Sequence, residues 1–238
     1  MTITVDDGRC AARPDAHSAI AAIPATARVE VLRFLTAYAY SPAGVDPSSR
    51  RSRRLCAAIK AADPAALAAG ARTVAGFVRG RADFAVALEP RAVLVPVPAS
   101  VPRPMGETRV SRGIATELVH CGIGADVREL LVRAVPVRKS ATAPIGARPS
   151  VAAHFASFRI IQTPIEPAVA AFVLVDDVVS RGRTLLAAAC RLRERFPQTP
   201  ICALALMRTL GYVTAIPGLT APCVGEIRWR RGDAMRTR

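Results

Sequence analysis

Val173-Leu-Val-Asp-Asp-Val-Val-Ser-Arg-Gly-Arg-Thr184 is the stretch on which the reading of this chain turns. With Phe172 it opens on a short continuous apolar run, the pattern of a strand buried on both faces. The run ends in two adjacent carboxylates and a tight loop containing Gly182. A helix over Leu185–Phe196 follows, stopped by Pro197. In open α/β sheets ligands collect beyond the carboxyl ends of the strands. A helix that starts there offers unpaired N–H groups and the positive end of its dipole, which suit a phosphate. Val179, Ser180, Arg181, Gly182, Arg183 and Thr184 therefore form a candidate phosphate loop. Ser180 and Thr184 bring hydroxyls, and Gly182 allows close backbone approach. Asp176 and Asp177 cannot share that anion, because like charges repel. They suit vicinal hydroxyls or a hydrated Mg²⁺ beside it. A phosphate with hydroxyls one sugar away describes a ribose 5-phosphate. The plainer alternative is that the acids and Ser180 merely cap a helix.

Working outward, Ala92–Val97 and Ile201–Met207 read as two further buried strands. Helices are expected from Ser111 to about Cys121, from Ser48 or Ser49 to about Ala62, and after the cap pair Asp63-Pro64. Val29, Val31, Leu32, Leu35 and Tyr38 fall at helical spacing, so Thr26–Ala39 also reads as a helix. Val127–Val132 reads as a short helical turn and Val135–Val137 as a short strand. Pro98 to Gly106 and Lys139 to Arg148 read as loops, the latter mobile. Strands alternating with helices predict an α/β fold, a Rossmann-like, mostly parallel sheet flanked by helices. The expected organisation is a disordered extension over 1–25 and one domain over 26–238. Within it, 26–90 is a helical N-terminal segment, 91–212 the α/β core and 213–238 a C-terminal extension.

The chain has 238 residues, enough for a substantial core, and is 51% hydrophobic, which excludes a disordered or fibrous protein. Its net charge is +15, and two of the 33 basic residues are lysines, Lys60 and Lys139; the rest are arginines. The excess is +4 over 1–90, +5 over 91–150 and +6 over 151–238, so no basic tail marks a nucleic-acid arm. Arg50, Arg51, Arg53 and Arg54 are the densest cluster, open to a solvated face or a phosphate contact. Six cysteines without metal-ligand spacing read as reduced structural thiols. His120 and His154 likewise read as structural. With no apolar leader and no stretch of ~20 apolar residues, a cytoplasmic protein is expected.

The quoted segment resembles the phosphoribosyl-pyrophosphate (PRPP) signature of type I phosphoribosyltransferases: four apolar residues, two acids, two apolar residues, then Thr-Thr-Gly-x-Thr. Ser180 and Arg181 stand where the two threonines usually are. A wider resemblance, over about Tyr38 to Tyr212, is to the competence-associated (ComF-like) branch. It rests on Ile59-Lys60, Val95-Pro-Val-Pro98, Arg112-Gly113, Arg138-Lys139, Arg148 and Phe155. The four-cysteine module and the Phe-Asn-Gln after Arg-Gly, both common in that branch, are absent. The resemblance implies that Asp176 and Asp177 hold the ribose hydroxyls and Mg²⁺, directly or through water, and that Ser180–Thr184 wrap the 5-phosphate. It places pyrophosphate at Pro98, Ala99 and Ser100 with Arg138. Lys139 becomes the catalytic cation of a closing loop; Arg103, Arg109 and Arg112 are further candidates to face pyrophosphate, and Arg208-Thr209, at the end of the third strand, a candidate contact to the base. The activity implied is Mg²⁺-dependent transfer of phosphoribosyl from PRPP to an unidentified small-molecule acceptor, with a homodimer among the expectations. The alternative is a non-catalytic PRPP- or nucleotide-sensing or DNA-handling protein.

Overall fold

The computed structural model describes residues 22–102, 110–138, 148–161, 169–211 and 213–237. A seven-stranded sheet carries the fold. It contains β1 (Val31–Tyr40), β2 (Ala92–Pro96), β3 (Asp126–Val127), β6 (Ala171–Val179), β7 (Ile201–Thr209), β8 (Thr220–Arg230) and β9 (Asp233–Thr237). Their order is β3-β2-β6-β7-β1-β8-β9. The first five are mutually parallel, and β8 and β9 add antiparallel on the β1 side. A separate antiparallel pair joins β4 (Leu131–Arg133) to β5 (Phe158–Ile160). The architecture is α/β, with a Rossmann-like, mostly parallel sheet flanked by helices.

Helices cover both faces, as strands buried on both sides require. On one face lie α1 (Pro47–Lys60), α2 (Pro64–Arg79) and α3 (Val110–His120), packing Ile59, Val74 and Ile114 onto Leu35, Leu94 and Val173. On the other lie α4 (Val151–Ser157) and α5 (Arg183–Arg195), with Phe155 and Leu186 against Phe34, Phe172 and Leu174. Asp46 and Asp63 cap α1 and α2, each followed by proline in the first turn. Among the described residues no helix is long and apolar enough to cross a membrane.

Several expectations are corrected. Thr26–Ala39 is not a helix: β1 occupies Val31–Tyr40, and Ala25–Ala27 is only a single 3₁₀ turn. As β1 lies between β7 and β8, residues 34–39 are all buried, and a strand covered on both faces loses its two-residue alternation. The segment over 26–90 is therefore not wholly helical. Val127–Val132 is no helical turn, since it contains the ends of β3 and β4, while Val135–Val137 forms no regular element. The expected C-terminal extension, as far as Thr237, is part of the core architecture: β8 and β9 continue the main sheet. The expected extension over 1–25 reaches too far, because Ile23 is buried in the core; residues 1–21 lie outside the described residues.

Candidate functional site

The strand order reverses between β2 and β6. From β2 the chain moves outward through α3 to β3; from β6 it moves the opposite way through α5 to β7. Such a switch point opens a crevice at the carboxyl ends of the two strands. β2 stops early, its last pairing being Pro96 with Val175, whereas β6 stays paired to β7 as far as Val179 with Arg208. Asp176 and Asp177 are the first two positions at which β6 has lost its neighbour on the β2 side. The notch between the strands is thus built from strand lengths, and the two acids stand in it.

The carboxylates are held by short local bonds. Asp177 N–H donates to Asp176 Oδ1 at 2.9 Å, and Val178 N–H donates to Asp177 Oδ1 at 2.7 Å. Lys60, at the end of α1, donates from Nζ to Asp177 Oδ2 at 2.7 Å. Burial, then the neighbouring Asp177 charge, holds the Asp176 carboxyl well above the usual carboxylate range. Burial opposes the charge on Lys60, but the charge and hydrogen bond of Asp177 outweigh it and raise its pKa.

The loop after β6 leads into α5 through Gly182, which is the N-cap and adopts φ +83°. Among the described residues no side chain caps this helix, so Ser180 and the two acids are not its caps, and the plainer alternative fails. No described side chain accepts from the N–H groups of its first turn, the condition for an anion site. Glycine is required twice over at 182: its φ is left-handed, and a Cβ there would stand 2.5 Å from Ile227 Cδ1. Ser180 and Arg181 are exposed beside it. Arg183 is turned away, with Nη2 bonded to Asp233 and Nη1 reaching Pro149 O at 3.2 Å, so only its backbone faces the loop's role.

Across the notch, the loop after β2 has all three carbonyls drawn backward. Arg133 donates to Ala99 O at 2.8 Å and to Pro98 O at 3.3 Å, and Val137 N–H donates to Ser100 O at 2.8 Å. No described residue accepts from the N–H groups of Ala99 or Ser100. A loop with its acceptors engaged and its donors free suits a polyanion. Arg138 is exposed one residue beyond Val137, while Lys139, Arg103 and Arg109 lie outside the described residues and Arg112 is exposed on α3.

Arg133 joins the two loops. Its buried guanidinium lies 4.1 Å from the Phe158 ring centroid, bonds Ser157 Oγ, and stands 3.4 Å from His154 Nδ1. His154 Nε2 is 3.5 Å from Thr184 Oγ1 in the first turn of α5. Burial, with the Arg133 and Arg183 charges adding to it, pushes His154 down to about 3, so its ring is neutral. Burial also pushes Arg133 down to about 10, which leaves it charged at neutral pH. Arginine can only donate, so Nδ1 must accept and the ring proton sits on Nε2, facing Thr184. The Thr184 hydroxyl is thereby left to donate its own proton outward, toward a ligand oxygen.

A pH test follows from His154. Its folded pKa is depressed, so protons bind the unfolded chain more tightly, and stability falls as pH drops from 6.5 toward about 3. The slope contributed is at most about 1.4 kcal/mol per pH unit. The raised Asp176 acts in the opposite sense, so the comparison is with His154→Asn, which keeps a donor and an acceptor but no titration. Denaturant midpoints between pH 3.5 and 6.5 should fall more steeply for the native chain than for this variant. Parallel curves would refute the assignment.

Arg133, His154, Arg236 and Lys60 were not singled out as site residues in the sequence. Only Lys60 carried a signal, through Ile59-Lys60; Arg133 sits after the apolar Leu130-Leu-Val132, where a buried charge could have been suspected. Arg236 reaches back from β9 to donate to Val179 O at 2.8 Å and Thr209 O at 2.7 Å, the first of them at the start of the candidate phosphate loop. Two of the clustered arginines are engaged locally: Arg50 with Val45 O and Arg53 with Gly44 O, both at 2.6 Å. His120 is exposed and lies 3.7 Å from Glu117. The described cysteines Cys56, Cys121, Cys190, Cys202 and Cys223 are free thiols. A cavity of about 400 Å³ lies away from the notch, lined by Arg33, Asp83, Glu226 and Arg228, whose charges already pair with one another. Against known proteins, no family model matches the chain and no curated protein matches it.

Proposed function

We propose that this protein binds PRPP in the notch between β2 and β6 and transfers its phosphoribosyl group to a small-molecule acceptor, releasing pyrophosphate. One observation carries the reading: a carboxylate pair flanked by two donor-rich loops, the uncapped N-terminus of α5 and the backbone at 98–100. A 5-phosphate on the first, vicinal hydroxyls on the acids and a diphosphate on the second match PRPP in order. Mg²⁺ keeps several waters and takes one or two carboxylates plus substrate phosphates, a donor set that two adjacent carboxylates beside a diphosphate would supply. Asp176 and Asp177 would hold it, and their mutual repulsion favours a cation beside them. Bound there, Mg²⁺ would neutralise charge on the departing diphosphate.

The residues of the chain have positional and electrostatic work to do. Displacement at C1 breaks the bond to the diphosphate oxygen, which leaves with the electron pair, while an acceptor atom forms the new bond. The intervening sugar has oxocarbenium character, so no protein nucleophile is needed. Asp176 and Asp177 fix the ribose hydroxyls, and the first turn of α5 with Thr184 anchors the 5-phosphate. The N–H groups of Ala99 and Ser100 stabilise charge on the leaving group. Arg138 and Lys139 are the proposed cations for the same group.

The test is calorimetric titration of the protein with PRPP and Mg²⁺, followed by assay for pyrophosphate with a panel of bases and amines. Binding with release of pyrophosphate is expected. Binding without turnover would favour a sensor, and absence of binding would reject the proposal.

A further inference from the structure

Among the described residues, two arginines at the carboxyl ends of the strands have no acid to answer them. Arg208, near the end of β7, pairs in the sheet with Val179 of β6. Arg236, from β9, donates to the carbonyls of Val179 and Thr209, the residues at the ends of those two strands. The guanidiniums are close enough that the Arg208 charge, after burial, lowers the pKa of Arg236. Arg236 is fixed by its two carbonyls. Arg208 is different: its Nε is shielded from solvent and has no hydrogen-bond partner among the described residues. Among the described residues, neither arginine forms an ion pair with a carboxylate. A buried donor left unsatisfied beside a like charge is costly, and a fold tolerates it where a ligand completes it.

We propose that Arg208 and Arg236 form an oxyanion site at the carboxyl ends of β6 and β7, with Arg236 as the fixed half and Arg208 as the half that engages the ligand. The fork of a guanidinium matches a phosphate or carboxylate edge. Two sources share that chemistry: the phosphate of a sugar phosphate lying on the α5 loop, or an anionic group carried by the acceptor. The site deepens the proposed function and rests on it only for the identity of the ligand.

The experiment compares the native chain with Arg208→Gln, using inorganic phosphate and ribose 5-phosphate as probes. Without ligand, Arg208→Gln should melt no lower than the native chain, because it removes a repulsion and breaks no bond. Phosphate affinity should fall about tenfold or more. If phosphate competes with ribose 5-phosphate and both weaken in the variant, the site takes the sugar phosphate. If phosphate adds to a complex saturated with ribose 5-phosphate, and only phosphate weakens, the site takes an anionic group of the acceptor. A variant that binds both probes like the native chain overturns the proposal while leaving PRPP binding standing. A variant that melts several degrees lower also overturns it, by assigning Arg208 to structure. A native chain that binds phosphate through Arg208 but not PRPP keeps the site and rejects the proposed function.

Discussion

Asp177→Asn should lower turnover of PRPP by about a hundredfold to a thousandfold, the scale on which removing one preorganised electrostatic contact acts. The substitution keeps the shape of the side chain and its bond from Val178 N–H, but removes the charge. It also removes the ionic partner of Lys60, whose side chain is about half exposed and can turn to water. Stability should therefore change little, since a partly exposed pair contributes about 0–1 kcal/mol. The measurement is pyrophosphate release at saturating PRPP and Mg²⁺, with thermal melting as the control for folding. A variant with native turnover would remove Asp177 from the site. A large loss of stability at native turnover per folded molecule would make the residue a structural anchor for α1.

Arg133→Met should act on both stability and binding. The guanidinium satisfies Pro98 O and Ala99 O and accounts for a buried bond to Ser157. Methionine fills comparable space but leaves those acceptors unmet, at about 1–3 kcal/mol for each buried group that water cannot reach. Because the same guanidinium holds the loop at 98–100, affinity for pyrophosphate should fall more than affinity for ribose 5-phosphate, whose proposed anchor is α5. Thermal melting and separate titrations with the two ligands check this. Equal losses for both ligands would show that Arg133 supports the fold as a whole and not that loop.

The contrast between these residues shows what the sequence could reveal. The acids, Gly182 and the first residues of the helix behind them lie within twelve consecutive positions, 173–184, where local chemistry suggests their roles. The flanking strands β2, β6 and β7 were equally legible as short apolar runs. β1 was not: a centrally placed strand has no polar face, so its apolar positions can be aligned with a helical spacing by coincidence. Arg133 and His154 were illegible for a different reason. Their meaning comes from Thr184 and the carbonyls at 98–99, which only tertiary folding brings within reach. Arg236 lies farther still, 57 positions from the carbonyl it holds.

The placement of β1 has a consequence for how the chain can be divided. Residues 91–212 look like a self-sufficient unit in the sequence, since they hold β2, β6, β7 and both proposed ligand loops. In the folded molecule β1 pairs along β7 from Phe34 with Ala203 to Tyr40 with Thr209, and β8 shields β1 in turn. A fragment cut to 91–212 would expose the long apolar edge of Ile201–Thr209, with its backbone donors and acceptors unpaired. Such an edge recruits strands from other chains. The described residues on either side of 91–212, through β1 and β8, are therefore what covers that edge, and any truncation must carry both.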